Sequence, residues 1–210
     1  MQCFIAFILV LFAINPVLAD TEKLKAFDGA PPEIEFNEIE TEKLNSNKPV
    51  YKTLSTQNGK QTVIAFLVKA PEQEVWKTIK DYSQYKHWIK QVKHSTIYKT
   101  DEEDIYVQFK IKHWLLGKYQ YYIKHHFASA QQNWATWTLD EDYNSDFLSS
   151  VGFWRTYPAT NHTDNETQQT YVVYSANVLF KKKKSKLVRN QALKSSLKQA
   201  SGWVKKHTEK

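Results

Sequence analysis

The sequence predicts an α+β protein with helices laid against one face of an antiparallel sheet. The prediction rests on the order of its periodicities. A strand pair is followed by two short helical segments, a long stretch of period-two alternation, and a final apolar stripe at helical spacing. Gly and Pro number only 5 and 6 in 210 residues, while 7 Trp, 12 Tyr and 11 Phe supply bulk for a packed interior. Neither a collagenous nor a disordered chain fits that composition.

Val50 to Leu54 reads as a short strand, and Asn58-Gly59 as a hairpin turn whose two central residues need positive φ. The Val/Ile/Phe-rich run Thr62 to Lys69 forms the next strand and stops at Ala70-Pro71. Pro71 opens a helix, helped by its preset φ and by Glu72 and Glu74 near the positive end of the dipole. Val75, Trp76 and Ile79 form the inward stripe of that helix, and Tyr82 to Ile89 is a second short helix carrying Tyr85, Trp88 and Ile89. Strands follow at Val92 to Lys99, at Ile105 to Ile111, after Trp114-Leu115-Leu116-Gly117, and at Trp134 to Leu139, Ser150 to Tyr157 and Thr170 to Leu179. Ile105, Val107, Phe109 and Ile111 share one face, as do Tyr119, Tyr121, Ile123, His125 and Phe127. Both sets are odd-numbered, so odd must pair with odd if the two strands bury a common face. At the C-terminus, Leu193, Leu197, Ala200 and Val204 mark a helix, with Leu187 and Trp203 beside the stripe.

Three segments stand apart from this order. Met1 to Ala19 carries no charge and holds an apolar run from Phe4 to Ile14. At about 11 residues the run is shorter than the roughly 20 that span a bilayer. Val17-Leu18-Ala19 before Asp20 suits cleavage, so residues 1–19 are expected to be a signal peptide, with an uncleaved anchor as the competing reading. Residues 20–44, Glu-rich with Pro31-Pro32, are expected to be a loosely held extension, and residues 45–210 the domain. Ala159 to Gln168 is a polar turn with glycosylation sequons at Asn161 and Asn165, meaningful only in a eukaryotic secretory route.

Charge and cysteine exclude several chemistries. The only Cys is Cys3, which rules out disulfide scaffolds, Cys-ligated metal centres and a Cys nucleophile. Residues 20–180 hold 18 Lys+Arg against 21 Asp+Glu, and residues 181–210 hold 11 against Glu209 alone. A mildly acidic body with a basic tail points to an anionic partner. Lys181, Lys182, Lys183 and Lys184 are therefore candidate contacts for an anionic membrane, against the plain reading of a solvated helix face. Nucleic acid is disfavoured, because the body is net negative and an exported protein seldom meets it.

Val68-Lys69-Ala70-Pro71, Val75-Trp76, Ile79-Lys80-Asp81-Tyr82 with Tyr85, and Gly152-Phe153-Trp154 ahead of Tyr157-Pro158 follow one another in an order that resembles the START-like helix-grip superfamily. The likeness is to its branch of polyketide cyclases and lipid-transport proteins and covers roughly residues 45–207. It implies a curved antiparallel sheet of about six to seven strands wrapped around the long C-terminal helix, with two short helices after the first long strand. An apolar cavity would lie between sheet and helix.

The residues placed to line such a cavity are Val107, Phe109, Ile111, Tyr121, Ile123, His125, Trp137, Trp154, Tyr174, Leu193 and Leu197. Ring-rich walls with a few polar tips suit a hydrophobic small molecule or lipid, whereas a filled core is the alternative use of the same residues. His125-His126 cannot chelate jointly, because neighbours on a strand face opposite ways. His125 shares the inner face and could act as an acid or base there, although a hydrogen-bonded interior histidine is the commoner case. Arg155 could hold an anionic headgroup or pair with a surface carboxylate. No nucleophile elbow, zinc-protease or dinucleotide motif occurs. No catalytic set, metal or cofactor is assigned. The expected function is an exported, monomeric, non-enzymatic binder or carrier of a lipid-like ligand. The alternatives are a cyclase/dehydratase-like or other lipid-modifying enzyme in the same cavity, and an interaction module that docks its basic helix on anionic membrane.

Overall fold

In the computed structural model, which describes residues 22–113, 117–127, 133–159, 168–182 and 184–209, the first two apolar runs pair as a hairpin of β1 (Val50–Thr56) and β2 (Gly59–Val68). Gly59 takes a positive φ of 80° and Asn58 does not. The turn is therefore not the double positive-φ type expected from Asn-Gly; its pattern is that of an ordinary turn followed by one left-handed glycine. Pro71 sits at the cap of α2 (Glu72–Lys80) with φ −64°. A single 3₁₀ turn, Tyr82–Gln84, then runs into α3 (Tyr85–Trp88). Next come β3 (Val92–Asp101), β4 (Asp104–His113), β5 (Gly117–Phe127), β6 (Trp134–Leu139), β7 (Phe147–Pro158), β8 (Thr170–Phe180) and α4 (Lys186–Thr208), which Ser185 caps by accepting from the Val188 N–H.

The strands form one antiparallel sheet in the order β1-β2-β8-β7-β6-β5-β4-β3. Eight strands, not six to seven, are present among the described residues. All eight are segments the sequence marks one by one, so only the count implied by the resemblance falls short; at the edges, β1 pairs with β2 from Val50↔Ala65 to Thr56↔Gly59, and β3 pairs with β4 through two register shifts. Odd pairs with odd between β4 and β5, as Val107↔Ile123 and Phe109↔Tyr121, which keeps both apolar sets on one face.

That inner face meets the helices. Ile64, Phe66, Val172, Ala176, Val107 and Ile123 pack with Val75, Trp76 and Ile79 of α2 and with Leu197, Ala200, Trp203 and Val204 of α4. Trp203 thus joins the predicted stripe, whereas Leu187, in the first turn of α4, is 76% exposed. The Trp76 indole N–H also finds a buried partner, donating to Thr156 Oγ1 at 3.0 Å.

The outer face is covered as well. Val63, Ala65, Leu67, Phe153, Tyr171 and Val173 lie under Ile34 and Leu44, with Phe27 and Phe36 packed beside them. Residues 22–45 are therefore not a loose lead-in. They strap the back of the sheet and end in α1 (Glu38–Asn45), whose Asn37 and Glu40 form a reciprocal capping box. The leader at residues 1–19, both sequons, the Trp114-Leu115-Leu116 segment and Lys183 lie outside the described residues.

Candidate functional site

A cavity of about 460 Å³ lies between the inner face of the sheet and α4 from Arg189 to Trp203, within the range of sites that enclose drug-sized molecules. Its walls follow from the strand pattern. Inward residues stand at odd positions on β4 to β6 and at even positions on β7 and β8, so Phe109, Tyr121, Trp137, Trp154 and Tyr174 reach one space. These rings contact one another: Trp154 and Tyr174 lie 4.3 Å apart, Trp137 and Tyr174 5.6 Å, and Phe109 and Tyr121 5.4 Å.

Gly152 explains how the largest of them fits. It pairs across the strands with Trp137, and a Cβ there would fall inside the Trp137 indole and against the Ser175 carbonyl. A side chain at this position would displace the ring from the wall, which gives the Gly-Phe-Trp phrase its structural meaning.

Of the eleven residues predicted to line the cavity, Phe109, Ile111, Tyr121, Ile123, His125, Trp137, Trp154, Tyr174 and Leu193 do so. Val107 and Leu197 do not; at 0% and 1% exposure they belong to the close-packed core. Periodicity assigns them to the right face but cannot say where along it the packing opens. The wall also takes Tyr85 and Ile89 from the segment after α2, Gln91, Phe147, the end of β8 from Ala176 to Phe180, and Ser196, Gln199 and Trp203 from α4. Tyr85 and Ile89 belong to the short helical segment that the sequence predicts over Tyr82 to Ile89. The place of Phe147 and of the end of β8 in the wall depends on which strands become neighbours, which no local pattern carries.

The interior is kept uncharged. Burial pushes the Tyr121 and Tyr174 hydroxyls up and the His125 imidazole down to about 3. Lys60 and Arg189 are the charged side chains among the described lining residues, and both are exposed, as is Asn190. These three mark where the cavity meets solvent. Lys181 and Lys182 lie nearby in the chain, exposed, with Lys181 Nζ donating to Asn144 Oδ1 at 2.7 Å. Lys184 is half-buried.

The two adjacent histidines separate as expected. His126 faces outward, with Nδ1 2.9 Å from Asp104 Oδ1. His125 faces inward among the rings of Tyr82 at 4.7 Å, Trp137 at 5.8 Å and Phe127 at 6.3 Å. It is not the hydrogen-bonded interior histidine expected, because neither ring nitrogen has a partner. Arg155 takes its structural role, on the outer face. It is ion-paired with Glu33, and its Nη1 donates to the Pro31 carbonyl at 2.5 Å. Among the described residues no three His, Cys, Asp or Glu side chains converge as a metal site requires. No helix there is long and apolar enough to cross a membrane.

Comparison with known proteins agrees with this geometry. The family described as polyketide cyclase/dehydrase and lipid transport matches residues 68–195. No curated protein matches the chain. Among solved structures, the human StAR-related lipid transfer protein 5 is similar at 10% identity and a TM-score of 0.59, over 77% of this chain and 82% of that one. A STAR-related lipid transfer protein fragment from Xanthomonas axonopodis is similar at 14% identity and 0.59, over 78% and 93%. The Zhui aromatase/cyclase from Streptomyces is similar at 12% identity and 0.57, over 71% and 93%. At such identities the likeness is one of fold.

Proposed function

Because the chain belongs to the polyketide cyclase/dehydrase and lipid transport family, we propose that it is an exported, non-enzymatic carrier of a hydrophobic, lipid-like guest. The observation that carries this reading is the ring-walled, uncharged cavity of about 460 Å³. An apolar guest placed there removes its surface from water, at about 25 cal/mol per Å² of apolar area buried. Cyclase-type chemistry is less well served. Proton transfer at neutral pH wants a group that titrates near neutrality, and burial holds His125 at about 3. Export rests on the uncharged apolar leader and the Val17-Leu18-Ala19 cleavage signal.

The basic surface fits a second part of the same function. Lys181, Lys182, Lys183 and Lys184 precede α4, and Arg189 stands at the cavity's solvent end. Cations so placed would hold that end against an anionic bilayer while a guest passes. Organic extraction and native mass spectrometry of the purified protein are expected to recover an apolar molecule; protein free of any guest, and unable to take up a fatty acyl probe, would overturn the carrier reading. Liposome flotation is expected to rise with anionic lipid and fall with salt, and to weaken when the four lysines become Gln. Attachment indifferent to salt and lipid charge would remove the docking role alone.

A further inference from the structure

We propose that His125 recognises a neutral hydrogen-bonding group, foremost a hydroxyl, on the otherwise apolar guest. This inference rests on the carrier reading and names the class of guest.

His125 is 7% exposed and lines the cavity, yet Nδ1 and Nε2 both lack a hydrogen-bond partner. Buried polar side-chain atoms are nearly always paired, because an unpaired one carries its full desolvation penalty. A Phe or Leu at this point of β5 would fill the same space without that penalty. The surroundings offer little relief: three aromatic rings lie around the imidazole, and the Tyr82 hydroxyl, on the closest of them, is itself buried without a partner. The site is therefore incomplete on its polar side, and the space it borders is the cavity.

The chemistry of the missing partner follows. A neutral imidazole has one N–H donor and one acceptor nitrogen. A hydroxyl can serve either one, since it both gives and accepts; a carbonyl can only accept. A carboxylate or phosphate would be buried here without a counter-charge, at a heavy desolvation cost. The cations of the lining are elsewhere: Lys60 is on β2, four strands from β5 in the sheet, and Arg189 is in the first turn of α4. His125 instead sits two residues from Phe127, whose ring meets Trp76 of α2. The guest would thus enter with its hydroxyl leading toward α2 and its apolar body along Phe109, Trp137 and Trp154.

Equilibrium dialysis of the full-length protein with naphthalene, 2-naphthol and 2-naphthoate tests this. Wild type is expected to bind 2-naphthol more tightly than either of the others. From wild type to His125→Phe the naphthol-to-naphthalene affinity ratio is expected to fall about tenfold, the worth of one hydrogen bond to a buried group. His125→Gln, which restores a donor and an acceptor, is expected to regain part of the ratio. A wild type that binds the hydrocarbon or the carboxylate as well as the alcohol overturns the inference, and that arm needs no variant to fold. So does a preference that persists in His125→Phe. Naphthalene binding with no such discrimination leaves the carrier reading standing, whereas failure of all three probes to bind overturns the inference and leaves the carrier reading to the fatty acyl probe.

Discussion

Acid should destabilise this protein through His125, by an amount the structure sets. Burial among the rings holds the imidazole at about 3 in the folded chain, against an ordinary value of 6.5. Between those values the unfolded chain holds more protons, so stability falls as pH falls from about 6.5 toward 3. Each pH unit well inside that window costs about 1.4 kcal/mol. From pH 7 to pH 5 the loss is therefore about 2 kcal/mol, a large part of the 5–15 kcal/mol typical of a domain. Urea unfolding followed by tryptophan fluorescence, at pH 7 and pH 5, measures it in wild type and in His125→Phe. The difference between the two proteins isolates the histidine. Carboxylates such as Asp104, whose partial burial is outweighed by its contacts with Lys124 and His126, change both proteins alike. The Phe variant should lose about 2 kcal/mol less on acidification. Equal losses in the two proteins would refute the reasoning, because His125 would then titrate normally or share its proton with an unseen partner.

Three further outcomes are expected. Gly152→Ala should cost about 3 kcal/mol or more, above ordinary overpacking, because its Cβ meets both the Trp137 ring and the fixed Ser175 carbonyl; chemical denaturation reads the cost, and a loss under 1 kcal/mol would show that the ring yields freely. Leu197→Ala should cost about 2–5 kcal/mol, since its side chain is closely packed and not part of the cavity wall. A cost near zero in the same assay would place it beside open space after all. Arg155→Met should leave the sheet intact but loosen the strap at Pro31 and Glu33. Limited proteolysis should then cut within residues 22–37 faster than in wild type, and unchanged cleavage would mean that the apolar contacts hold the strap alone.

The sequence made the inner half of the fold legible and hid the outer half. Alternation from Ile105 to Phe127 set both the strands and their odd-to-odd register, because one buried face at period two leaves no other pairing that keeps it dry. Phe27 stands alone and the pattern of Ile34, Phe36 and Ile39 is too short to fix an element, so only the long-range contacts with Phe153 and Tyr171 reveal that Phe27, Ile34 and Phe36 belong to a core. The capping pattern at Asn37 and Glu40 was present in the letters, but the segment behind it lacks an apolar stripe to confirm a helix. At the site, face was readable and depth was not. Phe109 and Val107 stand on the same side of β4, yet one borders the cavity and the other is closely packed. The isolation of His125 depends on Tyr82, Trp137 and Phe127, residues brought to it from three separate segments, and no local pattern carries that information.

The strap across the back of the sheet bears on where this protein can be cut. A piece trimmed to begin at residue 45, or to the span 68–195, would lose Phe27, Ile34 and Phe36 while keeping the oily surface they shield, including Phe153 and Tyr171. Either fragment would present a greasy patch on the rear of the sheet. It would tend to clump with its neighbours, so recombinant production should start upstream of Lys23.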